Sequence, residues 1–234
     1  MANEKEKSYY LKKKRILMRT FDAALNIVKN VLVKYFGESR FTEIATITQK
    51  DFESLIPQIP YVGGNQNHLT EDLTNSAILL PLLRFFEGEG LEFYEIGKIV
   101  YELFEAFYKV IPPKNDIFTE EFLNNQKENA EKSKLRKYPG DWVFEFIESD
   151  GETFAFGINY FECGVYKFYK SQGLEHFMPF ICISDFAKAQ AYGYVLKRTQ
   201  TIGNGAPLCD FRYSEGKDAP RGWPPDNLPE FKIY

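Results

Sequence analysis

The chain has 234 residues, of which 44% are hydrophobic and 26% charged, the usage of an ordinary globular protein. A chain of this size buries about 70% of its unfolded surface, so it requires neither disulfides nor a metal merely to fold. With 29 basic against 33 acidic residues it carries a net charge of −4, which suits no general binder of nucleic acid phosphates, and the composition excludes disorder, collagen and coiled coil.

From Lys7 to Phe36, residues Ile16, Leu17, Phe21, Ala24, Leu25, Val28, Val31, Leu32 and Tyr35 recur at the spacing of one helical stripe. Gly37 supplies a stop. Seven basic residues crowd the start: Lys5, Lys7, Lys12, Lys13, Lys14, Arg15 and Arg19. They read as a solvated helix face, with an anionic partner as the alternative. Asn26, Lys29 and Asn30 interrupt the apolar stretch Ala23 to Val33, so neither a membrane span of ~18 apolar residues nor a secretory leader is recognised. A shorter helix carries Phe52, Leu55 and Ile56 and ends at Pro57. Two prolines and a glycine pair then mark Pro57 to Asn65 as a loop, suited to a pocket wall or a plain connector. His68 follows it.

Thr70 and its following acids begin the next helix, through Ile78, Leu79, Leu82, Leu83 and Phe86, with Pro81 as a kink. Phe93 to Val110 is a strongly apolar helix that stops at Pro112-Pro113. Phe118 to Lys134 is a charged amphipathic one. At Asp141 the period changes to two: Trp142, Phe144 and Phe146 alternate with Val143, Glu145 and Ile147. Ser149-Asp150-Gly151 turns the chain into a returning strand over Thr153 to Tyr160. Helical stretches follow at Glu162 to Ser171 and Asp185 to Ala191. Tyr194 to Thr201 and Leu208 to Tyr213 read as two further strands around Gly203-Asn204-Gly205. The last twenty residues hold Pro220, Pro224, Pro225 and Pro229, an extended tail. The fold class is α+β: a helical N-terminal half, then a small antiparallel sheet with inserted helices. Residues 1–137 form the helical part, 138–213 the α+β core and 214–234 the tail, together as one compact domain.

With two histidines in the chain, a three-histidine zinc site cannot be built. HExxH, Walker A, GxGxxG and GxSxG patterns are all absent, which argues against those catalytic classes. Chemistry falls instead to sulfur and carboxylate, in Glu162-Cys163-Gly164, Cys182-Ile183-Ser184-Asp185 and Cys209-Asp210-Phe211-Arg212. Three readings of these cysteines stay open: small buried hydrophobes, a nucleophilic thiol, or a thiolate metal site with a carboxylate as fourth ligand. His176 is the histidine nearest to them in sequence, a proton acceptor or a plain loop residue. Arg198 and Arg212 could each grip a substrate carboxylate with two hydrogen bonds, or pair with an acid such as Asp210. An odd cysteine count indicates no disulfide framework, and we expect a cytoplasmic protein with reduced thiols.

The order of motifs says more than any single one. Pro60-Tyr61-Val62-Gly63-Gly64, Tyr138-Pro139-Gly140-Asp141-Trp142-Val143, Tyr160-Phe161-Glu162-Cys163-Gly164, Cys182-Ile183-Ser184-Asp185, Cys209-Asp210-Phe211-Arg212 and Arg221-Gly222-Trp223-Pro224-Pro225 follow one another. In this the chain resembles the L-2-amino-thiazoline-4-carboxylic acid hydrolase family, from about Tyr9 to Pro225. The resemblance implies water addition at C2 of a 2-aminothiazoline ring, then C–S cleavage to N-carbamoyl-L-cysteine. It carries over Cys163, Cys182, Asp185, Cys209, Asp210 and Arg212, and the catalytic candidates are Cys163, Cys209, Asp185, Glu162 and Cys182. Arg198, Arg212, Asp210 and His176 are the substrate-binding ones. Where the family's strand often carries acids, this chain has Ala155 and Asn159. From Asp141 to Tyr213 it also resembles the 4-vinyl reductase type of small-molecule-binding domain, some of which hold zinc through cysteines and a glutamate.

The resulting expectation is a hydrolase of a small carboxylate-bearing heterocycle. The alternatives are a natural-product tailoring enzyme on the same scaffold and a non-catalytic small-molecule-binding protein. The expected partner is a small-molecule substrate, with no nucleic acid or membrane and with a homo-oligomer allowed. No cofactor is expected, zinc being the alternative.

Overall fold

The computed structural model describes residues 8–113, 116–216 and 220–231, so Lys5 and Lys7 lie outside the described residues. The chain divides into two compact units, Met1–Phe107 and Tyr108–Tyr234. The sequence boundary at 137/138 marks the change of period. The boundary by packing falls earlier because the charged helix Glu120–Lys134 packs on the sheet.

In the first unit the opening helical pattern is divided at Lys13, into α1 (Tyr9–Lys12) and α2 (Lys14–Phe36). Helix α2 buries Leu17, Phe21, Leu25, Val28 and Leu32, the stripe that the spacing demands. Gly37, at φ 82°, reverses the chain into α3 (Glu38–Leu55), far longer than its apolar residues suggest. Only Ile44, Thr48, Phe52 and Leu55 of α3 are buried, and its polar remainder hides it from a reading by apolar period. Phe21 stacks on Phe52 with ring centroids 4.8 Å apart. Helix α4 (Thr70–Gly88) continues through Pro81 and is buried on most sides, and α5 (Phe93–Val110) follows.

The glycine pair of the early loop has a packing reason. Gly64 sits at φ +59°, and a Cβ there would stand 2.7 Å from the Tyr9 ring. The Tyr9 hydroxyl donates to Asn65 Oδ1 at 2.7 Å, and Lys13 Nζ donates to both at 2.6 Å. Lys14 pairs with Glu53 at 2.5 Å. At least two of the early basic residues thus have partners within their own unit. His68 is exposed. Among the described residues, no helix is long and apolar enough to cross a membrane.

The second unit is built on a four-stranded antiparallel sheet in the order β1-β2-β4-β3. Its strands are β1 (Val143–Glu148), β2 (Phe156–Glu162), β3 (Tyr194–Lys197) and β4 (Cys209–Glu215). Between β2 and β3 lie three short helices, α7 (Gly164–Ser171), α8 (Met178–Cys182) and α9 (Ser184–Tyr192). Alternation along the strands sorts the side chains into two faces. Phe144, Phe146, Phe156, Ile158, Tyr160, Leu196, Cys209, Phe211 and Tyr213 share one. Glu145, Gly157, Asn159, Lys197, Asp210, Arg212 and Ser214 share the other. The chain is therefore α+β.

Helix α6 (Glu120–Lys134) starts at Thr119, whose Oγ1 accepts from the Phe122 amide at 3.3 Å. It buries Gln126, Ala130 and Ser133. Ser133 is the tie to β1, accepting from the Phe144 amide at 3.0 Å and donating to the Ala130 carbonyl at 2.7 Å. The tail is not simply extended: Pro225–Asn227 forms one tight turn, and Leu228 and Glu230 are buried. Phe180 anchors it, with the rings of Trp223 and Phe231 6.0 and 6.1 Å away.

Ser133→Ala leaves the buried Phe144 amide without its acceptor, a loss of about 1–3 kcal/mol. Urea unfolding should show the lowered midpoint with an unchanged m-value.

Candidate functional site

Strand β2 ends at Glu162, and Cys163 caps the N-terminus of α7. The Cys163 sulfur accepts from the Tyr166 amide at 3.4 Å. The residue after it can only be glycine: a Cβ at Gly164 would stand 2.6 Å from the Trp142 ring and 2.7 Å from the Gly140 carbonyl oxygen. The Pro-Gly-Asp-Trp loop is thereby packed onto the cysteine turn. Lys167 fastens the same loop, donating to the carbonyls of Pro139 at 3.0 Å and Asp141 at 2.7 Å. It also pairs with Glu162, which is paired in turn with Arg136. Glu162 is thus engaged by two cations.

Cys182 closes α8 and Cys209 opens β4, with the turn Thr201–Gly205 lying across both sulfurs. The Ile202 amide donates to the Cys209 sulfur at 3.2 Å. A Cβ at Gly203 would meet the Cys182 sulfur at 2.7 Å, so glycine is what permits this approach. All three cysteines are free. Cys163 acts on the ionisation of Cys182 and Cys209, Cys209 on that of Cys182, and Asp185, in the first turn of α9, on that of all three. The fold therefore gathers Cys163, Cys182, Cys209 and Asp185 in one place.

Burial pushes every thiol up. Cys209 rises to about 12, against the helping Ile202 amide and the Arg198 charge. Cys182 lies well above its ordinary value despite Arg198. For Cys163 burial outweighs the amides of Tyr166 and Val165 and the Trp142 indole, all of which favour a thiolate. All three thiols are raised above their ordinary range, so the cluster holds neutral thiols at pH 7. Tyr213 is raised too, by burial first and then by Tyr160, Tyr194 and Asp185.

Arg198, just past β3, is the charged centre, with its side chain 1% exposed. Its Nε donates to Glu230 Oε2 at 2.8 Å, and one Nη2 hydrogen goes to Glu230 Oε1. The other Nη2 hydrogen goes to the Cys182 carbonyl at 2.8 Å, and Nη1 donates to Asp185 Oδ2 at 2.8 Å. The guanidinium also lies over the rings of Phe211 (4.6 Å) and Phe186 (5.3 Å). Four of its five N–H donors have these partners. A two-point grip on a substrate carboxylate would require Glu230 to leave.

Other sequence candidates stand apart from the sulfurs. Arg212 lies on the opposite face of the sheet, across Gly157, and donates to Asn159 Oδ1 at 2.9 Å and the Phe211 carbonyl at 2.8 Å. Asn159 donates to Glu145 Oε1 at 2.8 Å, and the exposed Ala155 donates its amide to the Tyr213 carbonyl at 2.8 Å. Asp210 shares the Arg212 face and ties down a loop, accepting from the amides of Thr199 at 2.8 Å and Gln200 at 2.9 Å. His176 is exposed, its ring 4.1 Å from that of Phe177. An open groove of about 480 Å³ near Thr153, Val195, Lys197 and Ser214 belongs to the Arg212 side of the sheet, away from the thiols. Among the described residues, no group of three or more His, Cys, Asp or Glu is placed to hold a metal ion.

Sequence reasoning missed Glu230, Tyr213 and Trp142 as neighbours of this cluster. Trp223, Leu228 and Phe231 were the signal that the tail is packed, since a solvated segment has no use for them. Nothing local marked Glu230 as the buried acid.

A family model described as L-2-amino-thiazoline-4-carboxylic acid hydrolase matches residues 95–213, just over half of the chain. No curated protein matches the chain, and neither does any solved structure.

The raised thiols make stability pH-dependent. Between about 9 and about 12 the unfolded chain has released the Cys209 proton while the folded one retains it. Its stabilising contribution is thus complete below about pH 9 and is lost as pH rises, on the order of 1 kcal/mol per unit. Urea midpoints from pH 8 to 11 should fall more steeply for wild type than for Cys209→Ala.

Proposed function

The chain belongs to the L-2-amino-thiazoline-4-carboxylic acid hydrolase family, and from that membership we propose that it opens a small, carboxylate-bearing heterocycle by adding water, with Asp185 as the base. One observation carries the choice of base. Asp185 is the carboxylate that the fold sets among the three cysteines, with its side chain 36% exposed and so within reach of water. Arg198 holds its Oδ2, which leaves Oδ1 to accept a proton.

For an aminothiazoline carboxylate the steps balance as follows. The amidine-like group enters protonated, which makes C2 electrophilic. A water oxygen bonds to C2 while Asp185 takes one of its protons. The C2–S bond then breaks, its electron pair leaving with sulfur, which takes the proton from Asp185. The remaining hydroxyl proton returns to solvent, and the product is N-carbamoyl-L-cysteine. The neutral thiols disfavour the competing route, in which Cys163 or Cys209 attacks C2 as a thiolate. They line the site instead. We place the reaction in the cytoplasm, where three free thiols stay reduced.

The test is to incubate the protein with L-2-amino-thiazoline-4-carboxylic acid and follow N-carbamoylcysteine by mass spectrometry against a heat-killed control. Asp185→Asn should lower kcat by about 10²–10⁴, the range of general base catalysis. Cys163→Ala and Cys209→Ala should each stay within about threefold of wild type, since truncating a lining thiol removes no proton acceptor. A hundredfold loss in either cysteine variant would replace the water route with a thio-adduct. Folded protein that forms no product would shift the reading to small-molecule binding without turnover.

A further inference from the structure

The matched family region ends at residue 213, and Glu230 lies beyond it. Yet Glu230 makes the closest contact with the charge at the centre of the site. Two carboxylates face one guanidinium. Glu230, its side chain fully buried, takes the Nε–Nη2 edge with both oxygens, and Asp185 is left with Nη1. The Cys182 carbonyl occupies the remaining Nη2 hydrogen. We propose that Glu230 is a positioning residue for Asp185: by filling the Nε–Nη2 edge of Arg198 it fixes the guanidinium where Nη1 meets one oxygen of Asp185 and Oδ1 stays available to water.

The backbone around Glu230 is fixed for this. Its carbonyl accepts from Asn204 Nδ2 at 2.6 Å, Leu228 is buried two residues earlier, and Phe231 stacks near Phe180. Asn204 belongs to the same turn that lies across the Cys182 and Cys209 sulfurs, so one element holds the thiols and the positioning acid. With Glu230 neutral, Asp185 is the one charged partner left among these contacts, and the less firmly held guanidinium would turn to meet both its oxygens, because a planar fork favours two parallel bonds to one carboxylate. Both Asp185 oxygens would then be engaged. The inference rests on the reading of Asp185 as the base.

The experiment pairs kinetics with a crystal structure of Glu230→Gln in the full chain. We expect kcat to fall at least tenfold with KM within about twofold of wild type, and Asp185 to meet Arg198 through both oxygens. Glu230→Asp, which keeps the charge on a shorter stem, should recover part of kcat. It gives the same two readouts if the glutamine variant does not fold. An Asp185 still held by one oxygen in the variant structure overturns the proposal. So does an unchanged kcat. A fall in KM overturns it as well, since Glu230 would then be competing with the substrate's carboxylate for Arg198. Full activity of Asp185→Asn would instead remove the base assignment, and the variant structure decides the geometry of Asp185 whether or not the substrate is turned over.

Discussion

A guanidinium stays charged at any pH a protein meets, so a buried arginine must be surrounded by acceptors or not be buried at all. Arg198 imposes that condition on the second unit. The segment after the sheet must deliver Glu230, the junction of α8 and α9 must deliver the Cys182 carbonyl and Asp185, and β4 must lay Phe211 beneath the plane. Parts of the chain that are distant in sequence are held to one geometry by a single charge. The two acids are not equivalent. Glu230 has lost all contact with solvent, whereas Asp185 keeps enough exposure to exchange a proton with it.

Around that centre the chemistry is soft and neutral. Three thiols, the Tyr213 phenol and aromatic rings surround the ion cluster, and the same burial that strengthens the ion pairs keeps the thiols protonated. A helix N-terminus usually lowers a cysteine's pKa. At Cys163 it is present and still loses to burial, so position alone is a poor guide to reactivity.

Much of the architecture was legible in the sequence because apolar periodicity survives wherever an element has one buried face. The change of period at Asp141 and the Phe93–Val110 helix could be read that way, and the cysteine motifs by residue type and order. Helix α3 could not be read in full, since four buried residues in eighteen leave a mostly polar surface. The two arginines illustrate the harder limit. Arg198 and Arg212 look alike in sequence, and register separates them: Lys197 pairs with Arg212, so Arg198, one residue on, points to the other face. The same parity divides Cys209 from Asp210. Glu230 was illegible for a different reason, because its partner is 32 residues away and its surroundings read as a proline-rich tail.

The strand order β1-β2-β4-β3 has a consequence for how the second unit comes into being. Its central strand next to β2 is β4, the last to be synthesised, and β3 has no neighbour in the sheet but β4. During translation β1 and β2 can pair as a hairpin at once, while β3 waits without a partner and the inner edge of β2 stays open. Cys163 can reach its helix cap in that interval, but Cys209 and the Arg198 site cannot yet be completed. The β1–β2 hairpin is thus a local pairing, while the β2–β4 pairing that brings the thiols together closes a longer loop, at a greater cost in chain entropy.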